Sequence, residues 1–110
     1  IEELEEKLHL GLAVNGLDAT LQALTLSQVR VLIVSDGFVH TGFICPESGV
    51  LVLEKNENVC PEGKTPVPVV DIVDEAIEEA LGQGGQVEVI LDEDLKKKID
   101  GTGAILRFKL

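Results

Sequence analysis

The sequence predicts an α/β protein, a three-layer α/β/α sandwich built around a mixed sheet. Three observations carry that prediction. Val29-Arg-Val-Leu-Ile-Val-Ser35 is a continuous, largely β-branched run of the kind that fills a strand buried on both faces. Val69–Leu81 places Val69, Val73, Ala76, Ile77 and Ala80 on one helical stripe, with Asp71, Asp74, Glu75, Glu78 and Glu79 facing solvent. Helical and extended patterns are interspersed along the whole chain, which calls for helices layered on both faces of a sheet.

The elements follow in order. Ile1, Leu4 and Leu8 recur at helical spacing among Glu2, Glu3, Glu5 and Glu6, and Gly11 ends that helix. A second helix is expected over Leu17–Leu24, with Asn15 and Gly16 at its start and Leu17, Leu21 and Leu24 on one face. After the strand Val29–Ser35, Asp36-Gly37 turns the chain into two shorter strands, Phe38–Ile44 and Val50–Leu53. The polar stretch Glu54–Thr65 reads as a loop. Gly82 and the Gly84-Gly85 pair stop the helix Val69–Leu81. Gln86–Leu91 is then a strand, Asp92–Ile99 a short helix whose acids and lysines complement its dipole, and Ala104–Lys109 the last strand.

A length of 110 residues suits one compact domain, and 45% hydrophobic residues suffice for a core. That core must be aliphatic, since the chain has three Phe and no Trp, Tyr or Met. The chain opens on Ile1-Glu-Glu-Leu-Glu-Glu6 rather than on Met, so it is read as a fragment: 1–11 the end of a linker helix from an upstream domain, and 12–110 the domain itself. Twenty acids against nine bases give a formal charge of −11. Phosphate backbones are bound by Lys and Arg that displace counterions, so tight nucleic-acid binding is not expected. No apolar run approaches the ~20 residues of a membrane-crossing helix, and the cytoplasm is the simplest location.

The closing run Gly101-Thr-Gly-Ala-Ile-Leu-Arg-Phe108 is the most distinctive segment. It resembles the final strand of the third, C-terminal domain of archaeal and eukaryotic class-1 peptide chain release factors, with Ala104 where a glycine and Phe108 where a tyrosine stand in that family. Val14–Leu24 and Val31–Asp36 are similar to the opening helix and first strand of the same domain. The match suits a bacterial release-factor-like relative. The resemblance implies an L30e-like sandwich with a small hairpin insertion at about 38–66. It also implies a non-catalytic role: docking to a translational GTPase or to the ribosome in termination, rescue or hibernation, alongside the upstream domains of the same protein. Carried over by position, the partner-binding candidates are Ile105, Leu106, Arg107 and Phe108. The acidic helix face, through Asp71, Asp74, Glu75, Glu78 and Glu79, is a second candidate surface.

Gly84-Gly85-Gln86 matches the tripeptide with which release factors promote peptidyl-tRNA hydrolysis, but its place between a helix and a strand makes the glycines helix terminators. No catalytic residue is assigned, because exposed helix carboxylates lack the desolvation that tunes an acid or base. Cys45-Pro-Glu-Ser48-Gly49 and Cys60-Pro-Glu-Gly63 resemble the family's paired Cys-Pro-x-Cys-Gly knuckles, with Ser48 and Gly63 in place of the second cysteines. Two sulfurs, even with His40 as a third ligand, fall short of the four that a closed zinc site takes. A degenerate zinc ribbon without metal is expected, its cysteines free thiols or, against the tendency of a reducing cytosol, a disulfide. No cofactor is expected. The alternative function is RNA binding of the L30e and kink-turn type. The positions where such binders carry an Asn-Glu pair and a Lys hold Asp18, Ala19 and Gln22 here.

Overall fold

The computed structural model describes residues 6–7, 9–54 and 59–108. In chain order its elements are β1 (Ala13–Asn15), α1 (Leu17–Thr25), β2 (Val29–Ser35), β3 (Gly42–Ile44), β4 (Leu51–Val52), β5 (Val67–Val69), α2 (Ile72–Gly82), β6 (Gln86–Ile90), α3 (Glu93–Lys96) and β7 (Thr102–Leu106). Glu6, Lys7 and His9 are helical, and Gly11 closes that helix with a φ of 74°. The rest of the expected 1–10 helix, including Ile1, Leu4 and Leu8, lies outside the described residues.

Four strands form a mixed sheet in the order β1-β7-β2-β6, with β2 and β6 parallel and the other pairs antiparallel. Its two faces are sorted by side-chain parity. Leu32 and Val34 of β2, with Ala104 and Leu106 of β7, point to the face covered by α1 and α2. Val31, Ile33 and Ile105 point to the other face, which Leu95 of α3 and Ile99 cover. Val29 lies on the same face as Leu32, three residues away, which a regular strand forbids. A bulge between Val29 and Val31 supplies the extra residue, and Arg30 turns outward there.

The second sheet is small and antiparallel, in the order β4-β3-β5, and attaches to the main core through Leu51, with Ile44, Leu53 and Val69 packed alongside. It extends to Val69, past the hairpin expected at about 38–66.

Several boundaries differ from expectation. The amphipathic helix begins at Ile72, not Val69, because Asp71 caps it by accepting the Val73 N–H at 3.0 Å. Val69 instead ends β5, which contains Pro68 at the sheet's edge. β1 was not anticipated: three residues are too few to show a period, and only pairing with β7 makes them a strand. The helix expected over Asp92–Ile99 is a single turn capped by Asp92. The last strand runs Thr102–Leu106 and stops before Arg107. The strands expected at Phe38–Ile44 and Val50–Leu53 shorten to β3 and β4.

Candidate docking surface

β7 lies between β1 and β2, so all five of its residues are buried. Ile105 is 2% and Leu106 4% exposed, and they enter opposite faces of the core. Neither offers surface to a partner: the terminal strand reaches solvent only where pairing ends, at Arg107 and Phe108.

Arg107 is exposed yet held. Its backbone N–H donates to Gln28 O at 2.7 Å, its Nε to Val29 O at 3.0 Å, and its Nη2 to Gln83 O. The guanidinium therefore sits against the last carbonyls of α2, where a cation meets the negative end of the helix dipole. Gln83 carries the chain of bonds onward, its Nε2 donating to Leu24 O at 2.7 Å and to Glu79 Oε1 at 2.9 Å. The C-terminal ends of α1, α2 and β7 are thus joined at one end of the domain. Phe108 projects from it 52% exposed, with Leu26 at 62% and Leu81 at 57% at the ends of α1 and α2. Sequence reasoning did not single out Leu26 or Leu81. The available signal was that Leu81 falls off the stripe of Val73, Ala76, Ile77 and Ala80.

The acids of α2 divide into structural and free. Asp71 is occupied as the cap and also accepts the His40 N–H at 3.2 Å, tying the loop before β3 to the helix. Glu79 is engaged by Gln83. Asp74 and Glu78 are exposed one turn apart and Glu75 is half-buried, while the last turn carries no base. Like charges at that spacing repel mildly, and among the described residues no ion pair engages Asp74, Glu75 or Glu78.

The two cysteines form a disulfide, Cys45–Cys60, with a Cα–Cα distance of 5.6 Å. This corrects the expectation of free thiols: the turns Cys45–Gly49 and Cys60–Gly63 are linked to each other, and Cys45 is 1% and Cys60 4% exposed. Beside them the Glu62 carboxylate accepts the N–H of Glu47 at 2.9 Å and of Ser48 at 3.1 Å. Partial desolvation would raise the Glu62 pKa, but the N–H groups of Glu62, Glu47 and Ser48 outweigh it and hold the carboxyl at about 2, below its ordinary 4.5.

The family model for eRF1 domain 3 matches residues 1–110. The chain belongs to the eRF1 domain 3 family. Its fold is similar to the C-terminal domain of a peptide chain release factor from Methanosarcina mazei, at 22% identity and a TM-score of 0.68 over 99% of this chain and 79% of that one. Pelota from Archaeoglobus fulgidus is similar at 23% identity and a TM-score of 0.62, over 98% of this chain and 28% of that one. Dom34 from S. cerevisiae is similar at 14% identity and a TM-score of 0.63, over 99% of this chain and 26% of that one. Dom34 is described as a translation termination-like factor involved in RNA quality control pathways and interacting with Hbs1. The chain thus spans little more than a quarter of those two proteins. No curated protein matches it.

Within this eRF1 domain 3, Gly84-Gly85-Gln86 is a helix stop followed by a strand. Gly84, at a φ of 80°, donates to Leu81 O, and Gly85 donates to Ala80 O, the paired bonds of a Schellman cap. A Cβ on Gly85 would lie 3.0 Å from Ala80 O and 3.3 Å from the carbonyls of Val29 and Arg30, so a side chain there would be crowded by backbone from three residues. Gln86 opens β6 in register with Val31. The positions compared with kink-turn binders are also occupied: Gln22 Nε2 donates to Asp18 Oδ2 at 3.2 Å.

The residues do not fit a ribbon zinc. Among the described residues only Cys45, Cys60 and Glu62 bring three candidate ligand atoms within 4.8 Å. Two of these are bonded to each other, and the third serves backbone N–H groups. His40 lies instead beside Thr41 O and the cap of α2. Ser48 Oγ accepts from Val50 N, and Gly63 has no side chain to offer. Among the described residues, no helix is long and apolar enough to cross a membrane.

Proposed function

We propose that this eRF1 domain 3 is a non-catalytic docking domain of a release-factor-like translation protein. It binds a translational GTPase, or the ribosome, in termination, rescue or hibernation. The observation that carries this reading is Phe108. It is a large aromatic side chain, half exposed, on a residue whose neighbour Arg107 is fixed by three hydrogen bonds. An exposed aromatic on an ordered backbone loses little conformational freedom on binding, which is what makes such residues interface anchors. Leu26 and Leu81 widen the apolar surface, and Asp74, Glu75 and Glu78 offer a negative face to a basic partner. The whole-chain family match, and the partner named for Dom34, support protein docking over chemistry.

Calorimetric titration of the chain with the elongation-factor-type GTPase of its own organism tests this. Phe108→Ala should weaken binding about tenfold or more, the loss of one anchor. Glu78→Lys should weaken it most at low salt, since a rim charge acts through screened attraction. Arg107→Ala is the poorer probe, because it also frees the carbonyls of Val29 and Gln83. Absence of saturable binding at ~100 μM, an affinity weaker than about −5.5 kcal/mol, would remove the GTPase reading. Binding to ribosomal RNA that collapses as salt rises would replace docking with phosphate contact.

A further inference from the structure

The disagreement between the cysteine pattern and a metal ribbon has a structural resolution. Cys45 and Cys60 each open a tight turn, with Gly49 N donating to Cys45 O at 3.0 Å and Gly63 N to Cys60 O at 2.9 Å. Cys45 N also donates to Val50 O at 2.8 Å, so the first turn belongs to the β3–β4 connection. The second turn reaches across to the first twice, through the disulfide and through Glu62 to the backbone of Glu47 and Ser48, and Lys64 just after it pairs with the Glu47 carboxylate. A tetrahedral metal would close the same two turns by drawing four thiolates to one point. Here one covalent bond and one carboxylate join them.

We propose that the Cys45–Cys60 disulfide, backed by the Glu62 carboxylate, takes over the task of a bound metal in closing the small sheet, so that the order of this sheet depends on thiol oxidation and not on metal supply. Opening it is a thiol–disulfide exchange with a dithiol reductant. One thiolate of the reductant attacks a cysteine sulfur, forming a mixed disulfide and releasing the other cysteine as a thiolate. The reductant's second thiolate then displaces the attached cysteine. The products are two protein thiols, which take up the two protons, and the reductant's own disulfide; closing with a small disulfide runs the same steps in reverse. Because both sulfurs are buried, exchange has to wait for the turns to part. This proposal is independent of what the domain docks to.

Backbone amide exchange read by mass spectrometry tests it on the whole chain, after alkylation has counted free thiols. The oxidised chain should show no free thiol, and a chelator should leave its exchange unchanged. A dithiol reductant should speed exchange around Cys45–Val52 by roughly two orders of magnitude, the loop-closure effect for a separation of 15 residues, while β2 and β7 stay protected. Zinc added to the reduced chain should not restore protection. Cys45→Ala/Cys60→Ala should behave as the reduced chain and ignore both reductant and zinc, with β2 and β7 reporting that it has folded. Protection restored by zinc would overturn the proposal, as would free thiols in the oxidised chain or exchange that reduction does not change.

Discussion

In the four-stranded sheet, β2 buries six of its seven residues and β7 all five, whereas the eight strand residues of the small sheet bury only Gly42 and Leu51. The large sheet is held by aliphatic side chains that leave water on both faces, a force without direction that scales with area. The small sheet has less of that area, chiefly Leu51 and its neighbours, and adds directed bonds: one disulfide, the N–H groups gathered by Glu62, and the ion pair Lys64–Glu47. Area tolerates substitution by degrees, while a point attachment is either made or lost. The two regions should therefore fail in different ways.

The largest effect should come from the large sheet. Leu32 is fully buried at the centre of the core that α1, α2 and the small sheet share. Leu32→Ala should cost about 3–5 kcal/mol, seen as a lower denaturant midpoint with protection lost in both sheets together. Replacing Cys45 and Cys60 by Ala should cost less, about 3 kcal/mol for a separation of 15 residues, with exchange rising in the small sheet alone. If the cysteine variant loosened β2 and β7 equally, the sheets would form one cooperative unit and the comparison would break.

This division also decided what the sequence disclosed. β2 was legible to the residue because a β-branched run needs no context, and the α2 stripe was legible because its period repeats over three turns. β1 and β5, three residues each, carry no period and exist through their partners β7 and β3. At the candidate surface, the terminal segment pointed to Arg107 and Phe108. It could not show that Ile105 and Leu106 are core, because that depends on β7 lying between two strands. Nor could it show that Asp71 is used up as a cap. The disulfide was readable only as one of three fates for two cysteines, since their approach depends on turns fifteen residues apart.

A smaller effect lies within the helical layer. α1 and α2 end in the same motif: Ser27 N donates to Leu24 O and Gln28 N to Ala23 O, as Gly84 and Gly85 do in α2. The left-handed position is Gly84 in α2 but Ser27 in α1, at a φ of 56°. A side chain there crowds the following carbonyl, and glycine relieves the crowding while adding entropy to the unfolded chain. Ser27→Gly should raise stability by about 0.5–1 kcal/mol, measured as a higher denaturant midpoint at unchanged slope. A loss of stability would mean that the Ser27 side chain contributes more than its strain costs.

The most local effect belongs to Glu62. Its carboxyl ionises at about 2 in the folded chain against an ordinary 4.5. A depressed acid stabilises the fold once pH exceeds its unfolded value, and that contribution is lost as pH falls through the folded one. The order of the Cys45–Gly49 turn should therefore be complete above about pH 4.5 and decline toward pH 2. Followed by NMR, the amide shifts of Glu47 and Ser48 should titrate with a midpoint near 2, while amides of β2 hold still. Both N–H groups donate to the same carboxylate oxygen, so Glu62→Gln keeps that acceptor but removes the charge, and it should abolish the titration without opening the disulfide. Amides that titrated near 4.5 instead would show that the carboxylate gains nothing from the turn, leaving the disulfide as the main fastening of the small sheet.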